Sequence, residues 1–290
     1  MSKLIPLTPT QQRLREMEVL LRWEGELDNS RLREVFGVQA VQASRLLSSF
    51  VAEYGTALTR ATPHAPVTPT KLFKPRLAGN SPDEYLRLVD SVGPSVRTFA
   101  VEDLRLDLSP VSATVFALAT RASLKQVGLR IRYRSLSQPE GQDRLVYPHS
   151  LVRAARRWHV RAWCAQRKAF RDFALGRISK GSIEGSPSPA GKDADRDWNQ
   201  FAKLEVVAHP ALPPAQIQLL QDEYLGGATS RTVEVRRCLL GYTVQDLRLA
   251  VDPRRHTPPE YQLMLKNAAE FKEDFAIRGA ASRTGGPRCR

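Results

Sequence analysis

At 290 residues the chain is long enough for two or three domains of ordinary size. Its 42% hydrophobic content supports packed cores and excludes a wholly disordered or fibrous chain, and no apolar run approaches the roughly 18–20 residues of a membrane span. A net charge of +14 makes polyanions the natural partners.

The first segment, MSKLIPLTPTQQRLREMEVLL, is polar from its start and does not read as a signal peptide. Over residues 9–25 Leu14, Met17, Leu20 and Leu21 recur at helical spacing, with Thr10 placed to cap. Asn29-Ser30 caps a short second helix that stops at Gly37, and a third runs from about Gln39 to Tyr54 and ends at Gly55. That helix, turn and helix have the shape of a helix-turn-helix, with Val38 plugging the angle and Val41, Leu46, Leu47 and Phe50 expected in the core. Gln39, Gln42, Ser44 and Arg45 then lie on the exposed start of the third helix, and these residue types read base edges and phosphates. Ser30 and, from the Thr-, Pro- and Lys/Arg-rich wing segment 56–75, Arg60, Lys71 and Lys74 complete the expected DNA-binding set. The 56–75 segment is consistent with a β-wing or an irregular loop, and a short helix from Ser81 to Val92 leads out. Residues 1–98 are read as a winged helix-turn-helix domain with its linker helix, against the alternative of an ordinary three-helix bundle with a solvated polar face.

The charge is concentrated next. Residues 101–185 carry 16 Lys/Arg against 7 Asp/Glu, a net +9, and most of the basic residues are arginine, suited to bidentate phosphate recognition. A weak strand over 99–108 precedes a helix (Val111–Gln126) that starts after Ser109-Pro110. Four strand-like runs follow, Leu129–Leu136, Arg144–Val152, Arg157–Cys164 and Phe170–Ile178, spaced for a small bent sheet or barrel. Along the third run, Trp158, Val160, Ala162 and Cys164 share one strand face, and Arg157, His159, Arg161 and Trp163 the other. The second set predicts a basic, aromatic-containing surface able to clamp phosphates and stack on bases.

Gly181–Asp197 is rich in Gly, Ser, Pro and Asp and reads as a linker. Beyond it come a strand (Leu204–His209), a helix from Pro213-Pro214 to about Tyr224, a strand (Thr232–Leu239), an ambiguous element (Val244–Val251) and a final helix (Pro259–Phe275). The boundaries are therefore 99–183 for the middle domain, 184–200 for the linker, 201–278 for a small α+β domain and 279–290 for a disordered tail.

Enzymatic chemistry finds little support. His149 and Ser150 are adjacent, and strand neighbours point to opposite faces, so they form no nucleophile–base pair. The chain has no Gly-x-Ser-x-Gly elbow, Walker loop or clustered acidic metal ligands. Three cysteines (Cys164, Cys238, Cys289) without paired spacing point away from disulfides and zinc and towards a reducing cytoplasm. No cofactor and no metal is expected.

The middle segment resembles the WYL domain, a small Sm/SH3-like barrel of bacterial transcriptional regulators. The resemblance rests on Arg144 followed by Pro148-His149, on Trp158-His159-Val160 in place of the name-giving Trp-Tyr-Leu, and on the closing Arg171-x-Phe173-x-Leu175-x-Arg177-Ile178. The last unit, with Leu204-Glu-Val-Val-Ala-His209-Pro210 and Val233–Tyr242, is similar to the extension that follows this domain. The order of parts, over roughly residues 10–275, resembles the BrxR/CapW-type repressors that guard anti-phage defence islands. The resemblance implies an α+β multidomain chain: a winged helix-turn-helix, a central Sm/SH3-like barrel and a small C-terminal α+β domain that dimerises. It implies a homodimeric repressor on an inverted-repeat operator, released when a nucleotide or short nucleic acid binds the middle domain. Tyr133, Arg144, His149, Ser150, His159, Arg161, Arg171 and Arg177 are the expected ligand-binding residues. The alternative is a non-regulatory accessory protein whose barrel holds single-stranded nucleic acid.

Overall fold

The computed structural model describes residues 6–93, 108–154 and 157–275, in two units that divide after Glu102. The weak strand expected over 99–108 falls, apart from Leu108, outside the described residues, as does the tail at 279–290.

In the first unit, α1 (Pro9–Glu24) is capped by Thr8, not Thr10. Thr8 forms a capping box with Gln11, its Oγ1 accepting from Gln11 N at 3.3 Å and its N–H donating to Gln11 Oε1 at 3.0 Å, and Pro9 takes the first helical position. The cap of α2 (Asn29–Phe36) also falls earlier than expected, at Asp28 just before Asn29-Ser30, and its Oδ1 accepts from Arg31 N at 2.7 Å. Gly25 and Gly37 end these helices at φ 78° and 63°, a left-handed conformation that favours glycine. A third helix, α3 (Ala40–Tyr54), buries Ala43, Leu47, Phe50 and Tyr54. Val41, expected in the core, is 66% exposed, because the buried stripe runs through Ala43 and leaves Val41 on the far side of the helix. A short wing follows, β1 (Leu58–Thr59) antiparallel to β2 (Thr68–Pro69), and α4 (Pro82–Val92) packs Tyr85 and Val89 into the same core. Two buried carboxylate sites tie the parts together. Glu18 accepts from the backbone N–H groups of Arg76, Leu77 and Ala78 at 3.1, 2.8 and 2.7 Å and from the Tyr54 hydroxyl. Arg31 bridges Glu24 and Glu34, joining α1 to α2.

The second unit opens with α5 (Ala113–Lys125), which packs on an antiparallel sheet: β3 (Val127–Ser135), β4 (Gln138–Ala154), β5 (Arg157–Cys164), β6 (Ala169–Ala174) and β7 (Ile178–Pro187). The strand order is β6-β5-β4-β3-β7, and among the described residues no ladder joins β6 to β7. Of the expected bent sheet or Sm/SH3-like barrel, the described residues form a five-stranded antiparallel sheet without a closing ladder. Most of the segment read as a linker is structural. β7 pairs with β3 through Pro187, and one of its glycines, Gly181, is packed close against α5. A side chain at Gly181 would come within 3.3 Å of Leu118 on α5. Small residues in a strand against a helix carry the same composition as a flexible linker, which is why pattern alone misread them.

After a 3-10 turn (Lys192–Ala194) and α6 (Arg196–Asn199), a three-stranded sheet of order β10-β8-β9 forms from β8 (Phe201–Ala208), β9 (Arg231–Arg236) and β10 (Leu263–Leu265). Helices α7 (Pro214–Tyr224) and α8 (Leu240–Asp246) lie between its strands in sequence. The expected helix over Pro259–Phe275 is absent over most of its length, with α-helical backbone only at residues 272–275. Leu263, Met264 and Leu265 pair instead with Ala208, Val207 and Val206 of β8, and a 3-10 turn follows (Ala268–Phe271). Ladder pairing with an open strand edge outweighs the local helical pattern there.

Candidate functional site

On the first unit, Gln39, Gln42, Ser44 and Arg45 are all exposed along the N-terminal half of α3. Asn29 Nδ2 donates to Ala40 O and to Ser44 Oγ, both at 2.8 Å, so Ser44 also fixes α2 against α3, with Ser30 exposed beside it. Arg60, at the wing, lines a small cavity with Asn29, Ser44, Ser48 and His64, which brings the wing base to the same side as the start of α3. Lys71 and Lys74 are exposed, but their segment packs at the other end of α3: the Phe73 ring lies 5.1 Å from Tyr54. The eight expected DNA-binding residues thus fall into a set of six near the start of α3 and a pair near its end.

The eight expected ligand residues divide as well. Val160, Ala162 and Cys164 are core, as the alternation predicts, and Tyr133 joins them, its hydroxyl accepting from Ala174 N at 3.3 Å. Arg144 sits opposite the buried Ile131 and Arg171 opposite the buried Ala162, so both belong to this core-side face. Arg177 is half-buried in the 3-10 turn after β6. On the other face lie His149, Ser150, His159 and Arg161, and here the expected open basic surface is covered. Arg161 is 5% and His159 4% exposed. Residues 195–198 and α8 close over them, with Trp198 and Cys238 packed on Val152.

The cover is electrostatic as well as apolar. Arg161 donates from Nε and Nη2 to Asp195 at 2.7 and 3.0 Å, and from Nη1 to Asp172 at 3.2 Å. Tyr242 of α8 donates to the second oxygen of Asp172 at 3.2 Å. Burial alone would raise the Asp195 carboxyl, but Arg161 outweighs it and holds the group below the usual carboxylate range. His149 also binds Asp195, through Nε2 at 3.1 Å, and its Nδ1 is 3.0 Å from Ser150 Oγ. Burial lowers the His149 pKa, so the ring is neutral; an ionised carboxylate can only accept, so Nε2 carries the proton and Nδ1 accepts from Ser150. The expectation that His149 and Ser150 point apart is overturned by a bulge: the β4–β5 register shifts between Pro148 and Ser150. The resulting Ser–His–Asp chain is a structural relay. The charge of Asp195 is committed to Arg161, and Phe170 and Trp198 pack edge-on against the imidazole.

Where α8 meets β5 the cover is incomplete. A cavity of about 340 Å³ is lined by Ala154, Arg157, His159, Tyr242, Gln245, Asp246 and Arg248. The His159 and Tyr242 rings meet at 4.9 Å on one wall. Two arginines against the single carboxylate of Asp246, with an amide and two rings, can take an anionic, aromatic guest. Of these residues, the sequence places Arg157 and His159 on the basic strand face, with only His159 in the expected ligand set; Tyr242, Gln245 and Arg248 arrive from a different domain, and no local pattern announces them. Among the described residues no group of His, Cys, Asp and Glu could hold a metal, and no helix is long and apolar enough to cross a membrane.

A helix-turn-helix with a short wing and an exposed third helix, followed by a covered sheet and a small α+β domain, is the arrangement of a DNA-binding regulator, and the family matches bear this class out. The chain matches three family descriptions in this order: the BrxR transcriptional regulator winged helix-turn-helix domain over residues 9–91, the WYL domain over 114–182 and the BrxR transcriptional regulator C-terminal dimerization domain over 201–271. It is 32% identical over 272 residues to the DNA-binding transcriptional repressor CapW of Pseudomonas aeruginosa, covering 91% of both chains. The CapW repressors of Escherichia coli (strain KTE188) and Stenotrophomonas maltophilia match at 32% and 30%, over 90% of this chain and 90% and 91% of theirs. The chain belongs to the CapW family of DNA-binding transcriptional repressors, which are not enzymes. Among solved structures, the proteasome accessory factor B/C of Arthrobacter aurescens overlaps at a TM-score of 0.29 and 16% identity, over 97% of this chain and 48% of that one, too little to carry an argument.

Proposed function

We propose that the protein is a homodimeric repressor of an anti-phage defence operon, released from an inverted-repeat operator when a nucleotide or short oligonucleotide occupies its middle domain. The cavity at the β5–α8 seam carries this reading. Its walls come from both the WYL sheet (Arg157, His159) and the C-terminal domain (Tyr242, Gln245, Arg248), so a guest there acts on the packing between the sensing and dimerising parts. A ligand that prefers the DNA-incompetent arrangement by about 2–3 kcal/mol weakens operator binding roughly 30–150-fold. The test is a titration of the operator complex with nucleotides and with short single-stranded oligonucleotides. Release by one class supports the reading; no change in operator affinity with any of them refutes it.

The second reading, a non-regulatory accessory protein holding single strands, draws on Arg130, Arg132 and Arg134, which alternate outward along β3. Arg130 and Arg132 are ion-paired to Glu184 and Asp143, and Arg134 is bonded to Pro139 O, which weakens that reading. A preference for the inverted repeat over random duplex discriminates between the two.

A further inference from the structure

On α3 the residues facing away from the buried stripe include Val41, Arg45 and Ser48, spaced i, i+4 and i+7. Around Val41 stand the exposed hydrogen-bonding side chains of Gln39, Gln42, Ser44 and Arg45, and α3 holds no acidic residue before Glu53. Folding does not account for Val41. It is 66% exposed on the side of α3 away from the buried stripe, and a β-branched residue in an exposed helix turn is a poorer helix former than alanine.

The edges of DNA bases supply a partner. In the major groove each base pair presents donors and acceptors, and the apolar feature there is the C5-methyl of thymine. A reading helix that docks its N-terminal half brings Val41 against the base edges together with Gln42 and Arg45. From this we infer that Val41 is a specificity-determining residue that packs on a thymine methyl in each half-site, next to the bases read by Gln42 and Arg45. The inference rests on α3 being the reading helix.

The experiment uses the full chain and the duplex it selects from a random pool. Each thymine of that duplex is replaced in turn by deoxyuridine, which removes the methyl and leaves every hydrogen-bonding group in place. One position per half-site is expected to cost about fourfold in affinity, the fold-change to which about one buried methylene's worth of apolar contact converts. Val41→Ala, a change that favours the helix, is expected to lose the same factor and to become indifferent to deoxyuridine at that position only. If every thymine tolerates the replacement, or if Val41→Ala keeps the full sensitivity, the inference is overturned. Gln42→Ala and Arg45→Ala are measured alongside. If they lose operator preference while Val41→Ala does not, the inference alone fails; if all three bind like the parent, the reading helix has been misplaced.

Discussion

Arg161 holds Asp195 in a fork of two hydrogen bonds, Nε to Oδ2 at 2.7 Å and Nη2 to Oδ1 at 3.0 Å, with Asp195 only 1% exposed. Planar guanidinium and carboxylate match each other bidentately, so the pair fixes orientation as well as distance. It joins β5 to the segment that leads into the C-terminal domain, and through Asp172 and Tyr242 the same arginine reaches α8. Burial acts to lower the Arg161 pKa and to raise that of Asp195, and the partner's charge outweighs it in both, so both stay ionised.

Removing one partner strands the other charge in the seam. Arg161→Ala is expected to destabilise the second unit by about 3–5 kcal/mol, whereas Arg161→Met combined with Asp195→Leu recovers only part of the loss, because Asp172 still lacks its arginine and His149 Nε2 and Trp198 N lack their acceptor. Urea unfolding followed by tryptophan fluorescence measures both. A loss under about 1 kcal/mol in the single variant would show that the fork is not what holds the seam.

His149 gives the seam a pH dependence. Burial lowers its pKa below the ordinary 6.5, while Asp195 and Arg161 act on it in opposite directions. A group whose folded pKa is depressed contributes stability that is fully present above the unfolded pKa and is lost as pH falls towards the folded value. Stability of the second unit is therefore expected to drop as pH falls from about 6.5, before Asp195 begins to protonate below its own ordinary 3.8. His149→Gln keeps a polar side chain without the titration, and its unfolding free energy should vary less between pH 7.5 and 5. Equal slopes for variant and parent over that range would assign the dependence to other groups.

In the first unit, Glu18 answers three consecutive backbone N–H groups, those of Arg76, Leu77 and Ala78, and the hydroxyl of Tyr54. Burial, followed by the Glu18 bond and its charge, raises the tyrosine's pKa. Glu18→Ala leaves buried donors unmatched, at about 1–3 kcal/mol each. Fast hydrogen exchange of the 76–78 amides is expected in the variant, with operator binding weakened as α1, α3 and this segment loosen. Slow exchange at these amides in Glu18→Ala would mean another acceptor holds them.

The N-terminal unit was largely legible because caps, glycine stops and helical periodicity are local signals; the misplaced caps at Thr10 and Asn29-Ser30 are errors of one or two positions. The strands of the middle sheet were legible for the same reason. What pattern could not show is cover. Period-two alternation put Arg161 and His159 on the face opposite Val160, which is where they lie, but it does not say whether water or another domain lies beyond. Their partners, Asp195 and Tyr242, are 34 and 83 residues further on, the first inside a segment whose composition resembles a linker. A bulge at His149, a feature of pairing and not of sequence, produced the one contact that strand alternation excluded.

The cover also changes which residues test the sensing step. Arg161 is committed to the seam and Arg171 lies on the opposite face, so substitutions there report on folding or on another surface. Arg157 and Arg248 line the cavity without a role in the fork. If the cavity binds an anionic effector, Arg157→Ala and Arg248→Ala should leave operator affinity within about threefold of the parent, a change below roughly 1 kcal/mol. The slope of log affinity against log salt should stay the same, and the nucleotide should no longer release the operator. Were these arginines instead part of the DNA footprint, each substitution would weaken operator binding and flatten the salt slope by about one counterion per lost phosphate contact. Arg60→Ala, at the wing base beside the start of α3, supplies the opposite control: a flatter slope with the nucleotide response intact. A salt series on the three variants, with and without nucleotide, separates sensing from DNA contact. A flattened slope for Arg157→Ala or Arg248→Ala would remove the cavity from consideration as the effector site.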